Sequence, residues 1–186
     1  MKRISIIFLC AGIAVLSLSS FVCAATNAQT CIAYCTLNPS DYQNFVKNWD
    51  DTKQPVLYAV VRSIDQWNGI FHPAPVMGGN RRFAPDADMF ATNEILIVAR
   101  VMPATESADT FRVEQVSTNA AGLVLNYRYT PTPNAVSYTV KNYLGVIVPT
   151  FGHSTVAFVE NGKQIGTLDA AKGRWCVGPD KDAHKQ

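Results

Sequence analysis

The chain has 186 residues, sixteen Lys and Arg against fourteen Asp and Glu, and 48% hydrophobic residues. Two of those cations, Lys2 and Arg3, sit in an N-terminal segment with no acids, so the remainder carries fourteen charges of each sign. A neutral chain has no electrostatic drive toward phosphate backbones or anionic membrane surfaces, which excludes nonspecific nucleic-acid binding and a polybasic membrane patch.

The N-terminal segment reads as a secretory signal. Lys2 and Arg3 precede an apolar run from Ile4 to Leu16, and Val22-Cys23-Ala24 supplies a small-residue cleavage site, so cleavage is expected after Ala24. The run is about half the length a membrane-spanning helix needs. Acylation of Cys23 is disfavoured because Phe21 and Val22 are bulky where a lipoprotein signal wants small residues. The expected location is secreted or periplasmic. Cleavage would leave 162 residues, enough for one domain with a real core. Cys31, Cys35 and Cys176 remain in an oxidising compartment, so one disulfide and one spare thiol are expected from these three candidates. A bridge from Cys31 or Cys35 to Cys176 would close a loop of about 140 residues, a large constraint on the unfolded chain.

After a flexible lead-in over residues 25–40, Ser40 and Gln43 form a capping box, and Tyr42, Phe45, Val46 and Trp49 fall at helical spacing. The pattern predicts a first short helix that docks its aromatics on a sheet. Val56 to Arg62 predicts a strand buried on both faces. Ser63 and Gln66 repeat the capping box, and Ile64, Trp67 and Phe71 give a second helix of two turns held by Trp67 packing on the core. His72 to Asn93 is a long loop rich in Pro and Gly, and such loops tend to be functional. Its concentrated charge, Arg81, Arg82, Asp86 and Asp88, makes it the candidate partner-binding element, although for Asp86 and Asp88 the favoured reading is bracing of the loop against Arg81 or Arg82.

Strands follow at Glu94–Met102, Phe111–Val116 and Leu123–Tyr129, the last with Leu123, Leu125, Tyr127 and Tyr129 on one face. A strand within Val136–Val148 is expected to break at Asn142–Gly145. Thr155–Val159 and Lys163–Leu168 flank Asn161-Gly162, the strongest local hairpin signal. Gly173 to Cys176 is expected to tie down, ahead of a polar tail over 177–186. The predicted fold is a single mostly-β domain over 41–176, an antiparallel β-sandwich or open barrel with two short N-terminal helices.

The order of these elements resembles the small secreted β-domain at the C-terminus of protease-complex-stabilising proteins of the PrcB kind. The matching residues are Ser63 to Trp67, Pro85-Asp86-Ala87-Asp88-Met89-Phe90, and Ile95 to Arg100, within a stretch from Val56 to Phe158. The chain departs from that pattern at Ser107-Ala108-Asp109-Thr110-Phe111, where the family carries a Gly-Gly-Tyr type of turn. The resemblance implies a noncatalytic partner-binding domain without a cofactor.

Chemical constellations are sparse. Cys31-x-x-x-Cys35 could hold a soft metal with His153 or Cys176, but the second ligand pair of a structural zinc site is missing, and redox motifs of the thioredoxin type space their cysteines by two. His153 and Ser154 are adjacent, so on a strand they point to opposite faces and cannot pair. Asp86 and Asp88, near Glu94, lack the spacing of a calcium loop. The expected function is a noncatalytic module that binds or stabilises another envelope or secreted protein through the 72–93 loop or a sheet edge. The rival is a thiol-dependent metal or redox protein using Cys31 and Cys35.

Overall fold

The computed structural model describes residues 29–47, 49–50, 52–75, 77, 79–103, 110–131, 138–170 and 174–177. Among the described residues the fold is mostly β, with one α-helix. Its strands are β1 (Thr30–Cys31), β2 (Cys35–Leu37), β3 (Asn44–Val46), β4 (Val56–Val61), β5 (Phe71–Pro73), β6 (Asn93–Pro103), β7 (Phe111–Asn119), β8 (Gly122–Tyr129), β9 (Thr139–Pro149), β10 (Thr155–Glu160), β11 (Lys163–Asp169) and β12 (Arg174–Val177). The helix α1 spans Ile64–Ile70. One five-stranded sheet runs β1-β7-β8-β10-β11, another runs β12-β4-β6-β9-β2, and β3 and β5 form a separate ribbon. All pairings are antiparallel except β8 with β10, which is parallel and departs from the expected all-antiparallel arrangement.

Two buried clusters organise these elements. Alternate residues of β4, β6 and β9 (Tyr58, Val60, Leu96, Val98, Val146, Val148) share one cluster with Leu123, Leu125, Tyr127, Val156 and Phe158 of the other sheet. The opposite face of β4 and β6, carrying Leu57, Ala59, Ile95, Ile97 and Ala99, packs with Trp67, Ile70 and Phe71 in a second cluster. Every residue of β4 is therefore buried. That two-sided burial is why its sequence is apolar without alternation. Among the described residues, no helix is long and apolar enough to cross a membrane.

The second predicted helix forms. Ser63 caps it by accepting from the Gln66 N–H at 3.1 Å, and Trp67 is fully buried against Phe71, ring centroids 4.2 Å apart. Gln66 Oε1 reaches back one residue further than a capping box requires, to the Arg62 N–H at 2.6 Å. The first predicted helix does not form. Asn38, not Ser40, is the cap, and the chain makes a single 3-10 turn over Pro39–Asp41 before extending into β3. A three-residue strand meets the same spacing, because pairing with β5 buries Val46 and turns Phe45 outward. The stretch read as a lead-in contributes β1 and β2, edge strands of the two sheets.

Register explains several side-chain placements. Phe111, Val113 and Val116 all face the inter-sheet cluster although 113 and 116 differ in parity. A bulge between Val113 and Gln115 inserts the extra residue that realigns them. The Asn161-Gly162 hairpin has φ of 52° and 78° at those positions, the left-handed pair that matches strand twist. The expected break at Asn142–Gly145 is absent, since β9 runs unbroken from Thr139 to Pro149. Gly145 serves close approach instead: a Cβ there would lie 2.9 Å from Leu37 Cβ in β2.

The expected disulfide is also absent. Cys31 and Cys35 are free and exposed. Cys176 pairs with Leu57 on β12, at the far edge of the sheet from β2 and Cys35. Four strand spacings separate those edges, roughly 19 Å, beyond any disulfide. Residues 1–28, 104–109, 132–137 and 178–186 lie outside the described residues, and with them the signal segment, the Ser107–Asp109 departure, the start of the Val136 strand and the polar tail.

Candidate functional site

The sequence-predicted loop residues divide. Arg82 and Asp86 brace one another, Nη1 to Oδ2 at 2.6 Å, on the exposed surface. The Arg82 carbonyl accepts from the Gln43 N–H at 2.8 Å, so the segment is laced to the chain just before β3. Arg81 is exposed beside it, lining with Ser40, Asp41, Tyr42, Asn80 and Arg82 an open groove of about 430 Å³. Burial raises the Tyr42 phenol above its ordinary value, opposed by the Arg82 charge. Asp88 sits exposed in a 3-10 turn over Ala87–Ala91. Glu94 does not join Asp86 and Asp88, for it is fully buried on the inner face of β6. Among the described residues no group of three or more His, Cys, Asp or Glu is placed to hold a metal.

The structure adds an aromatic element that the helical reading of 40–49 concealed. Register pairs Phe45 with His72 across the β3–β5 ribbon, and their rings stack at 5.2 Å on its outer side. Phe45 is 51% exposed. Asn44 Nδ2 donates to the Phe83 carbonyl at 3.1 Å, and Phe83, next to Arg82, is 45% exposed. The inner side of the same ribbon buries Val46 and Phe71 in the second cluster. Trp67 Nε1 also donates to the Phe83 carbonyl, at 3.4 Å. The aromatics thus stand on a frame anchored from below. The available signal was Phe-Val at 45–46 opposite Phe-His at 71–72, each an inward–outward pair.

Two charged clusters lie at the ends of the inter-sheet space. At one, Arg62 Nε donates to Glu94 Oε2 at 2.7 Å, while its Nη groups reach the carbonyls of His153 (3.3 Å) and Ala170 (3.4 Å). His153 Nε2 lies 3.1 Å from Glu94 Oε1 without a hydrogen bond between them. Burial holds this imidazole below 6.5, with Glu94 pulling it up and Arg62 pushing it down. His153 and Ser154 occupy a loop rather than a strand, and the Ser154 side of that loop faces solvent. At the other end, Arg100 Nη2 meets Glu160 Oε2 at 2.5 Å, and the Tyr127 hydroxyl donates to the same oxygen at 2.8 Å. Tyr58 and Tyr127 hydroxyls are 3.1 Å apart, and burial drives the Tyr127 phenol far above its ordinary value. These carboxylates are spent on joining strands.

Cys31 accepts a hydrogen bond from Gln115 Nε2 at 2.9 Å, whereas Cys35 opens β2. Compared with family models, with curated proteins and with solved structures, the chain gives no match.

Proposed function

We propose that the protein is a noncatalytic binding module that engages another secreted or envelope protein through the β3–β5 ribbon and the adjoining 80–86 segment. The observation that carries this reading is the exposed Phe45–His72 stack beside Phe83, with Arg81 and Arg82 at its margin, on a ribbon whose other side is core. Aromatic and Arg side chains are the usual anchors of protein interfaces, and an aromatic ring on a rigid frame buries large area at little entropy cost. The clusters that combine acids, His and Arg spend their polar groups on joining strands, which supports the noncatalytic reading. We further read the two sheets as stacked face to face in a sandwich, which their shared apolar cluster supports. The Lys2–Ala24 pattern supports export, and the order of strand, helix, loop and strand supports kinship with the PrcB-like domain.

A photo-crosslinking residue placed at Phe45, with a second protein carrying it at exposed Arg112 on the other sheet, tests the surface. A discrete adduct from position 45 that disappears with Phe83→Ser is expected in the compartment where the protein resides. Equal adducts from both positions, or none from 45, refute the proposal. The exposed thiols of Cys31 and Cys35 favour a second reading, a thiol-dependent protein. As a metal-binding or redox protein it would require a bound metal or a redox-active thiol pair that is lost when both are changed to Ser.

A further inference from the structure

Arg62 ties three chain segments together at one end of the inter-sheet space: β6 through Glu94, the β9–β10 loop through the His153 carbonyl, and the end of β11 through the Ala170 carbonyl. The Ala170 N–H completes the fastening by donating to the Ser154 carbonyl at 2.8 Å, and the Thr150 N–H donates to the Thr92 carbonyl at 3.0 Å. The His153 side chain, 5% exposed, is the one titratable ring in this cluster, with neither ring nitrogen hydrogen-bonded. We propose that Arg62, Glu94 and His153 form an acid-sensitive latch, in which protonation of His153 frees residues 150–154 and opens that end of the space between the sheets.

The charged groups facing the imidazole are Glu94 from β6 and Arg62 at the end of β4. The β7–β8 turn that shares a groove with His153 carries Thr118 to Gly122, none of them ionisable. Asp169, next to Ala170, is exposed at the end of β11. With His153 neutral, one cation and one anion balance inside the protein. A proton added there leaves a net positive charge without bulk water to solvate it, beside a guanidinium that repels it. Glu94 cannot offset this fully because Arg62 already occupies its other oxygen. The loop escapes the charge by releasing the ring to solvent. The direction follows: a His whose native value lies below 6.5 is fully compatible with the closed loop above that pH and loses it as pH falls.

Amide hydrogen exchange on the intact protein, expressed as protection factors to remove the intrinsic pH dependence, reads the latch at Thr150 and Ala170. Protection at these two amides is expected to fall between pH 7.5 and 5, about tenfold for each unit by which the open loop holds the proton more tightly, while amides in the centre of β6 stay unchanged. The fall should level off at the pH where the His153 ring signals reach their midpoint in an NMR titration, because below the closed loop's own value both states hold the proton. His153→Gln, which keeps a polar group without the titration, should flatten the profile. Protection that holds constant over the range, that rises on acidification, or that goes on falling well below the ring-signal midpoint overturns the latch. An unchanged profile in His153→Gln does the same. The wild-type comparison of the protection profile with the ring titration decides the matter even if that variant fails to fold.

Discussion

Replacing Glu160 by Leu removes the acceptor that Arg100 and Tyr127 share. The Arg100 and Glu160 side chains are 19% and 12% exposed, so the pair is mostly but not wholly shielded. Breaking a buried pair by removing one partner costs about 3–5 kcal/mol, and partial solvent access places this one near the lower end. The Tyr127 hydroxyl keeps Tyr58 as a partner, so its loss adds about 1 kcal/mol at most. The single variant should therefore be less stable by roughly 3 kcal/mol. In Arg100→Met with Glu160→Leu, no stranded charge remains, and the loss should shrink to about 1 kcal/mol, part of it the Arg100 stacking over Tyr129 at 4.1 Å. Urea unfolding followed by tryptophan fluorescence on wild type, both single variants and the double variant gives the coupling energy directly. A coupling of about 2 kcal/mol or more is expected. Additive losses, or a Glu160→Leu loss below about 1 kcal/mol, would show that solvent already satisfies Arg100 and refute the argument.

Two further outcomes follow from backbone approach and thiol exposure. Gly145→Ala puts a methyl 2.9 Å from Leu37 Cβ, so β2 must shift, at a cost of about 1–3 kcal/mol read as a lowered Tm; an unchanged Tm would mean the β2–β9 contact is loose. Cys31 and Cys35 should both react rapidly with a thiol reagent in the native protein, and Cys31→Ser with Cys35→Ser should change stability by less than about 0.5 kcal/mol. A loss of 2 kcal/mol or more, or blocked thiols, would reveal a disulfide.

What the sequence disclosed depended on whether its signals were local. The Asn161-Gly162 hairpin, the Ser63 cap and the inward Leu123, Leu125, Tyr127 and Tyr129 are set by neighbours within a few residues, and each is as predicted. The 40–49 segment misled because Tyr42, Phe45, Val46 and Trp49 satisfy a helical spacing while pairing of Phe45 with His72, 27 residues on, makes the segment extended. The lost helix also hid Phe45 from the candidate site, since a helix would have turned it to the core. The loop charges were visible, and so was the bracing of Arg82 by Asp86, four residues apart. The inter-sheet ion pairs were not, because Arg62 and Glu94 are 32 residues apart and Arg100 and Glu160 are 60 apart, and topology alone brings them together.

One clue to those pairs did lie in β6. Glu94 and Arg100 share parity with Leu96 and Val98, so both point between the sheets, some 20 Å apart along the strand. The stretch between them, Ile95 to Ala99, is apolar on both faces, and both faces are buried. Hydrophobic pattern therefore cannot distinguish the native register of β6 from a slip along β4 and β9. The charges can. A one-residue slip would turn Glu94 and Arg100 toward Trp67 and Leu57, and a two-residue slip would strand both from Arg62 and Glu160. We infer that the two ion pairs set the register of the central strand more than they add stability, a role that buried polar groups fill in some systems. Because Arg62 and Glu94 stay paired in the double variant Arg100→Met with Glu160→Leu, the test adds Arg62→Met and Glu94→Leu, and this fourfold variant should show additional amide resonances for β6 from shifted pairings. A single sharp set of β6 signals would assign register to the flanking turns instead.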